Sequence, residues 1–129
     1  MLASVLHKVY VDSSPKGELR WIDTATDDIG KHRIGKGKAV HEAEFQAVMV
    51  TLDDILKGLQ EKETVELYCD RKAVVDQLNH KAGIKEKSVL KIADKVWDLA
   101  LQARKEKEIE VRFLWVSRKE NPAGKMLGT

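Results

Sequence analysis

Apolar and polar positions alternate along Leu6-His7-Lys8-Val9-Tyr10-Val11-Asp12 and again along Val65-Glu66-Leu67-Tyr68-Cys69-Asp70. A period of two marks a half-buried β-strand whose side chains two apart share a face, so Tyr10 lies with Asp12 and Tyr68 with Asp70. The two runs end alike, Val-Tyr-Val-Asp and Leu-Tyr-Cys-Asp, each with a carboxylate at its carboxyl end. The first strand is predicted from Ser4 to Asp12. In the Ser13-Ser14-Pro15-Lys16-Gly17 stretch that follows, proline and glycine so placed mark a tight reversal. Glu18 to Asp23 reads as a second strand and Lys31 to Lys36 as a third, after a polar turn around Asp27, Asp28 and Gly30. Three strands joined by short turns predict an antiparallel meander.

From Val40 to about Lys57 the period becomes helical. At about 100° per residue, Val40, Ala43, Phe45, Ala47, Val48, Leu52, Ile55, Leu56 and Leu59 form one broad apolar arc, with Glu42, Gln46, Asp53 and Lys57 opposite. Glu44 breaks the pattern, falling between Val40 and Val48 on the apolar side. A buried carboxylate costs several kcal/mol unless it is paired, hydrogen-bonded or bound to a metal. Taken alone, it also fits a first-turn acid that reaches water and favours the helix dipole. Beyond the second aspartate-tipped strand, Arg71 to Leu78 is a short helix and Ser88 to Arg104 a longer one, with Ser88 as its cap and Trp97 in the core. The charged run Arg104 to Glu108 reads as a solvated helix end. Glu110 to Val116 is the last strand, with Val111, Phe113 and Trp115 on one face. Ser117 to Pro122 is a loop, and Ala123 to Leu127 begins a short final helix.

The element order is β, β, β, α, β, α, α, β and a terminal helical turn, a mixed α/β domain in which hairpins come first and crossovers afterward. Helical crossovers set the first, fourth and fifth strands parallel, so Asp12, Asp70 and Val116 end on one edge of the sheet. Open α/β folds place their sites at that edge. The start of the Glu44 helix reaches it too, so two strand-end aspartates and an out-of-pattern glutamate converge.

Composition narrows this picture without redirecting it. The 129 residues are read as one domain, residues 1–129, and 43% apolar with 34% charged residues fits a soluble globular protein. A net charge of +2 permits a nucleic-acid partner without requiring one. The single cysteine, Cys69, excludes an internal disulfide and a multi-cysteine zinc site, and inside an apolar strand it reads as a small buried hydrophobe. No apolar segment is long enough to span a membrane. A reducing, cytoplasmic setting and a monomer are expected. Gly35-Lys36-Gly37-Lys38 lacks the Gly-x-x-x-x-Gly-Lys-Ser/Thr spacing of a phosphate loop and reads as a basic, flexible connection.

With these residues in place, the chain resembles the ribonuclease H type 1 family and its wider RNase H-like fold. Val9-Tyr10-Val11-Asp12 matches the first catalytic strand, His41-Glu42-Ala43-Glu44-Phe45 the glutamate helix, and Leu67-Tyr68-Cys69-Asp70 the second aspartate strand. Val74 to Asn79 looks like the following helix, and Trp115-Val116-Ser117-Arg118-Lys119-Glu120-Asn121 like the last strand and loop. The resemblance implies an α/β fold with a mixed five-stranded sheet flanked by helices. It also implies that Asp12, Glu44 and Asp70 are catalytic ligands for two Mg²⁺ or Mn²⁺ ions, hard cations that favour carboxylate oxygen. The implied activity is two-metal hydrolysis of the RNA strand of an RNA/DNA hybrid, with Asp12 shared by both ions and the strand recognised by its 2′-hydroxyls. His41, Lys16, Arg71, Arg118 and Lys119 become candidates for sugar and phosphate contact.

The chain also departs from that family. Counted from Asn121, the family's fourth carboxylate falls at Lys125. Like charges about 4 Å apart repel by roughly 4 kcal/mol at an effective dielectric of 20, so a second cation is expected to bind weakly there. Lys125 is then a candidate for phosphate contact, with Glu120 or Asn121 as candidates to replace the missing ligand. The final loop lacks the family's histidine, and Val40 and His41 stand where asparagines are common. Three readings follow: a metal-dependent ribonuclease H with a three-carboxylate site, an RNase H-like nucleic-acid-binding or protein-binding module with little catalysis, and another metal-dependent nuclease or phosphoryl-transfer enzyme on this fold.

Overall fold

The computed structural model describes residues 5–35 and 39–128. β1 (Leu6–Ser13), β2 (Glu18–Asp23) and β3 (Asp28–Arg33) form the meander. α1 (Val40–Gly58) returns the chain to β4 (Thr64–Cys69), and α2 (Lys72–Leu78) and α3 (Lys87–Lys107) lead to β5 (Glu110–Trp115). A 3₁₀ turn (Arg118–Glu120) and α4 (Pro122–Met126) follow. The sheet order is β3-β2-β1-β4-β5, antiparallel from β3 to β1 and parallel from β1 to β5. This is the mixed five-stranded sheet that the element order predicts.

The core lies on one face of that sheet. Val9, Val11, Leu19, Trp21, Val65, Leu67, Cys69 and Phe113 project into a single cluster with Phe45, Val48 and Leu52 of α1 and Val89, Ala93 and Val96 of α3. Strand alternation sends the intervening residues the other way. Register aligns them into a row across all five strands, Ile29, Ile22, Tyr10, Tyr68 and Leu114. Tyr10 and Tyr68 stack in this row with ring centroids 4.7 Å apart. None of the five belongs to the core cluster.

Several boundaries differ from the sequence expectation. β3 begins at Asp28, not Lys31, because Asp23 pairs with Asp28 and only Thr24–Asp27 make the turn, closed by Asp27 at φ 62°. Gly30 is thus a strand residue. It lies opposite Trp21, whose indole covers it so closely that a Cβ would fall 1.8 Å from Nε1. Ser88 is not a cap, since α3 starts at Lys87 behind Glu86 and no side chain caps it. Trp97 sits at the margin of the core, half-buried and stacked on His80, with Nε1–H donating to the Leu78 carbonyl at 3.0 Å. Trp115 does not bury with Phe113 but is 51% exposed. The expectations for Ser4 and for Lys36-Gly37-Lys38 lie outside the described residues.

At the amino end of β1, His7 is buried with Nδ1 2.6 Å from Asp23 Oδ2 and Nε2 3.3 Å from Glu63 Oε1. The imidazole thereby ties β1 to β2 and to the loop before β4. Burial opposes its charge, but the bonds and charges of Asp23 and Glu63 prevail and raise its pKa above the usual histidine value.

Candidate active site

Parallel pairing sets Val11 beside Cys69, so the next residues, Asp12 and Asp70, emerge together at the carboxyl edge. The first turns of α1 bring Glu44 over that edge. One oxygen from each of the three carboxylates lies within 4.8 Å of the other two. Asp12 and Glu44 are 6% and 4% exposed, and Asp70 is half-buried. Glu44 is therefore not a first-turn acid reaching water.

Each carboxylate is held in place. The Ser13 backbone N–H donates to Asp12 Oδ1 at 2.9 Å, while its hydroxyl donates to Glu44 Oε1. The Cys69 thiol donates to Glu44 Oε2 at 3.4 Å. Asn121, fully buried, donates through Nδ2 to Asp70 Oδ2 at 3.1 Å and to the Val11 carbonyl at 3.0 Å. Its Oδ1 accepts from Ala123 N and caps α4, where Pro122 occupies the first turn. The Trp115 indole N–H donates to the Asp70 carbonyl at 3.1 Å.

The electrostatics record how much negative charge is gathered. Burial, reinforced by the charge of Asp70, pushes Asp12 up to about 6 against the lowering effect of the Ser13 N–H, Arg118 and Glu44. Burial pushes Glu44 up to about 7, partly offset by Ser13 and reinforced by Asp12 and Asp70. Burial, with the Glu44 charge beside it, raises the Cys69 thiol well above its ordinary value, so Cys69 is a neutral donor and not a thiolate. Three oxygen donors with too little positive charge around them suit a hard divalent cation.

The acids line a cleft of about 390 Å³ closed on one side by the β1–β2 turn. Gly17 makes that turn possible: its φ is +83°, and a Cβ would lie 2.4 Å from the Ile34 carbonyl oxygen. Arg71 and Arg118 line the cleft with the acids, and Arg71 Nε is buried with no hydrogen-bond partner among the described residues. The other basic candidates fall elsewhere. Lys16 and Lys119 are exposed and outside the lining. His41 donates from Nε2 to Gln77 Oε1 at 2.6 Å and lines a different cleft of about 310 Å³.

Lys125 is exposed and also outside the cleft lining. A cation whose charge reaches Asp12 is Arg118. Glu120 is exposed on the 3₁₀ turn and absent from the acid cluster, and both ends of the Asn121 amide are engaged. Asn121 is thus a brace for Asp70 as well as the cap of α4, and the Asn-Pro pair signals only the cap. The contacts of Ser13, Cys69 and Trp115 have no comparable signal in the sequence.

The sequence profile described as reverse transcriptase-like matches residues 10–128. No curated protein matches by sequence. Among solved structures, the N-terminal RNase H domain of a Mycobacterium tuberculosis protein, solved as a fusion with maltose-binding protein, is 24% identical with a TM-score of 0.74, covering 95% of each chain. RNase H1 from the halophilic archaeon Halobacterium salinarum is 16% identical with a TM-score of 0.74, over 97% of this chain and 94% of that one. LC11-RNase H1, isolated from compost by a metagenomic approach and solved in complex with an RNA/DNA hybrid, is 16% identical with a TM-score of 0.75, over 95% and 91%.

Proposed function

The chain belongs to the reverse transcriptase-like family, an RNase H-like family, and from that premise we propose that it is a metal-dependent endonuclease cutting the RNA strand of RNA/DNA hybrids. The observation that carries this reading is the convergence of Asp12, Glu44 and Asp70 within 4.8 Å at the carboxyl edge of two neighbouring parallel strands.

Asp12, Glu44 and Asp70 would hold Mg²⁺ or Mn²⁺, a fit supported by their oxygen-only donor set and by the upward push on Asp12 and Glu44. When bound, the cation supplies Lewis-acid activation of water and of the scissile phosphate. Ser13 and Cys69 fix the Glu44 carboxylate, and Asn121 fixes Asp70, so the donor set is oriented before substrate arrives. Arg71 and Arg118 offer guanidinium groups to phosphate oxygens along the cleft. Contacts to 2′-hydroxyls would select the RNA strand.

A second reading, binding with little turnover, is favoured by Lys125 in place of a fourth carboxylate on α4. Incubation of a hybrid labelled on the RNA strand with Mg²⁺ or Mn²⁺ separates the two. Wild-type protein is expected to cleave it, and Asp12→Asn to lower the rate by at least about a hundredfold. A wild type that shifts the hybrid on a gel without cutting it supports the second reading. Cleavage that survives Asp12→Asn removes the proposed site.

A further inference from the structure

Of the three indoles, only Trp115 stands in water: it is 51% exposed, while Trp21 is buried and Trp97 half-buried. Leaving so large an apolar ring exposed forgoes substantial burial energy, and exposed aromatic rings of this kind concentrate at binding surfaces. Trp115 is anchored as well as exposed. β5 pairs it with Cys69, and its N–H is bonded to the Asp70 carbonyl at 3.1 Å. A ring already fixed loses little freedom when a ligand covers it.

Its surroundings indicate what that ligand is. Trp115 ends β5 at the same sheet edge as Asp12 and Asp70. Arg71 follows directly after the residue whose carbonyl it bonds, and Arg118 lies three positions along the chain. Both arginines line the acidic cleft. An exposed indole at the same sheet edge as a cleft lined by two arginines is a combination that suits single-stranded nucleic acid, with cations following the backbone and the aromatic ring taking a base. Paired bases inside a duplex hide their faces in the stack, so an indole face is used fully only by an unpaired base.

We propose that Trp115 is a stacking platform for an unpaired base beside the cleft, so that this site takes a hybrid flanked by a single-stranded segment in preference to a blunt one. The inference rests on the reading of the cleft as a nucleic-acid site.

The test compares a blunt RNA/DNA hybrid with the same hybrid bearing a five-nucleotide single-stranded extension, without divalent cation so that neither is cut. Fluorescence anisotropy of the labelled nucleic acid is expected to show binding of the extended hybrid about tenfold tighter, the worth of one stacked base. Trp115→Ala should reduce that preference to less than about twofold, read as the ratio of the two affinities so that any effect of losing the bond to Asp70, common to both hybrids, cancels. Trp115→Phe keeps a stacking ring but loses the bond to Asp70, and should retain most of the preference. Tryptophan emission should be quenched by the extended hybrid in wild type and not in Trp115→Phe. A preference that survives Trp115→Ala, or one lost equally in Trp115→Phe, overturns the platform and leaves Trp115 as a brace for Asp70. Equal binding of both hybrids by wild type overturns this inference alone, whereas binding of neither overturns the nucleic-acid reading beneath it.

Discussion

Arg118 is a cation whose charge reaches Asp12, although the linear motif points to Lys125. Side-chain reach decides between them. Both side chains are exposed, but Arg118 lines the cleft and Lys125 does not. Arg118→Ala is accordingly expected to weaken hybrid binding by about tenfold, as loss of one charge-assisted phosphate contact does. Lys125→Asp should raise cleavage by less than about tenfold, since little repulsion is relieved. Gel-shift titration and initial rates at fixed Mg²⁺ check the pair, and a larger effect from Lys125→Asp would return Lys125 to the site. The acids themselves were legible because each broke or ended a pattern: Asp12 and Asp70 closed two matched strands, and Glu44 interrupted an apolar arc. Their supports were not legible. Ser13 and Cys69 act through neighbours that only the folded sheet supplies.

At the scale of elements, local pattern located every strand and helix but misplaced ends where tertiary pairing overrides composition. Asp28-Ile29-Gly30 has turn composition, yet it is strand because Ile22 and Trp21 lie opposite. The Trp21 ring needs the space above Gly30, and its N–H donates to Asp54 Oδ2 at 3.1 Å. Gly30→Ala would displace the indole and break that bond. A loss of about 2 kcal/mol or more is expected in urea unfolding, with a shift in tryptophan emission. Trp115 failed in the opposite direction. Alternation put it on the core face with Phe113, but it is the last residue of an edge strand and is 51% exposed.

At the scale of the molecule, the core cluster occupies one face of the sheet, the row from Ile29 to Leu114 stands outside that cluster, and α4 packs against β1 and β2. Stability rests on that core and on ties at the sheet ends, of which His7 with Asp23 and Glu63 is one. Because the folded state raises the His7 pKa, its contribution is complete below the unfolded value near 6.5 and is lost as pH rises through the higher folded value. The acids act in the same direction in cation-free protein. With Asp12 near 6 and Glu44 near 7, both above their unfolded values, folding is favoured at low pH and penalised as they ionise. Urea midpoints should fall as pH rises from about 4 to about 8. Asp12→Asn should flatten the part of that slope below about pH 6, and His7→Gln the part above about pH 6.5.

The same acids provide the most direct test of the whole account, a calorimetric titration of Mn²⁺ into wild type and Asp12→Asn at pH 8 and pH 6. Wild type should bind saturably at pH 8 and more weakly, with proton release, at pH 6, and Asp12→Asn should lose at least about tenfold in affinity. Binding unchanged by Asp12→Asn, or no binding at either pH, would contradict it.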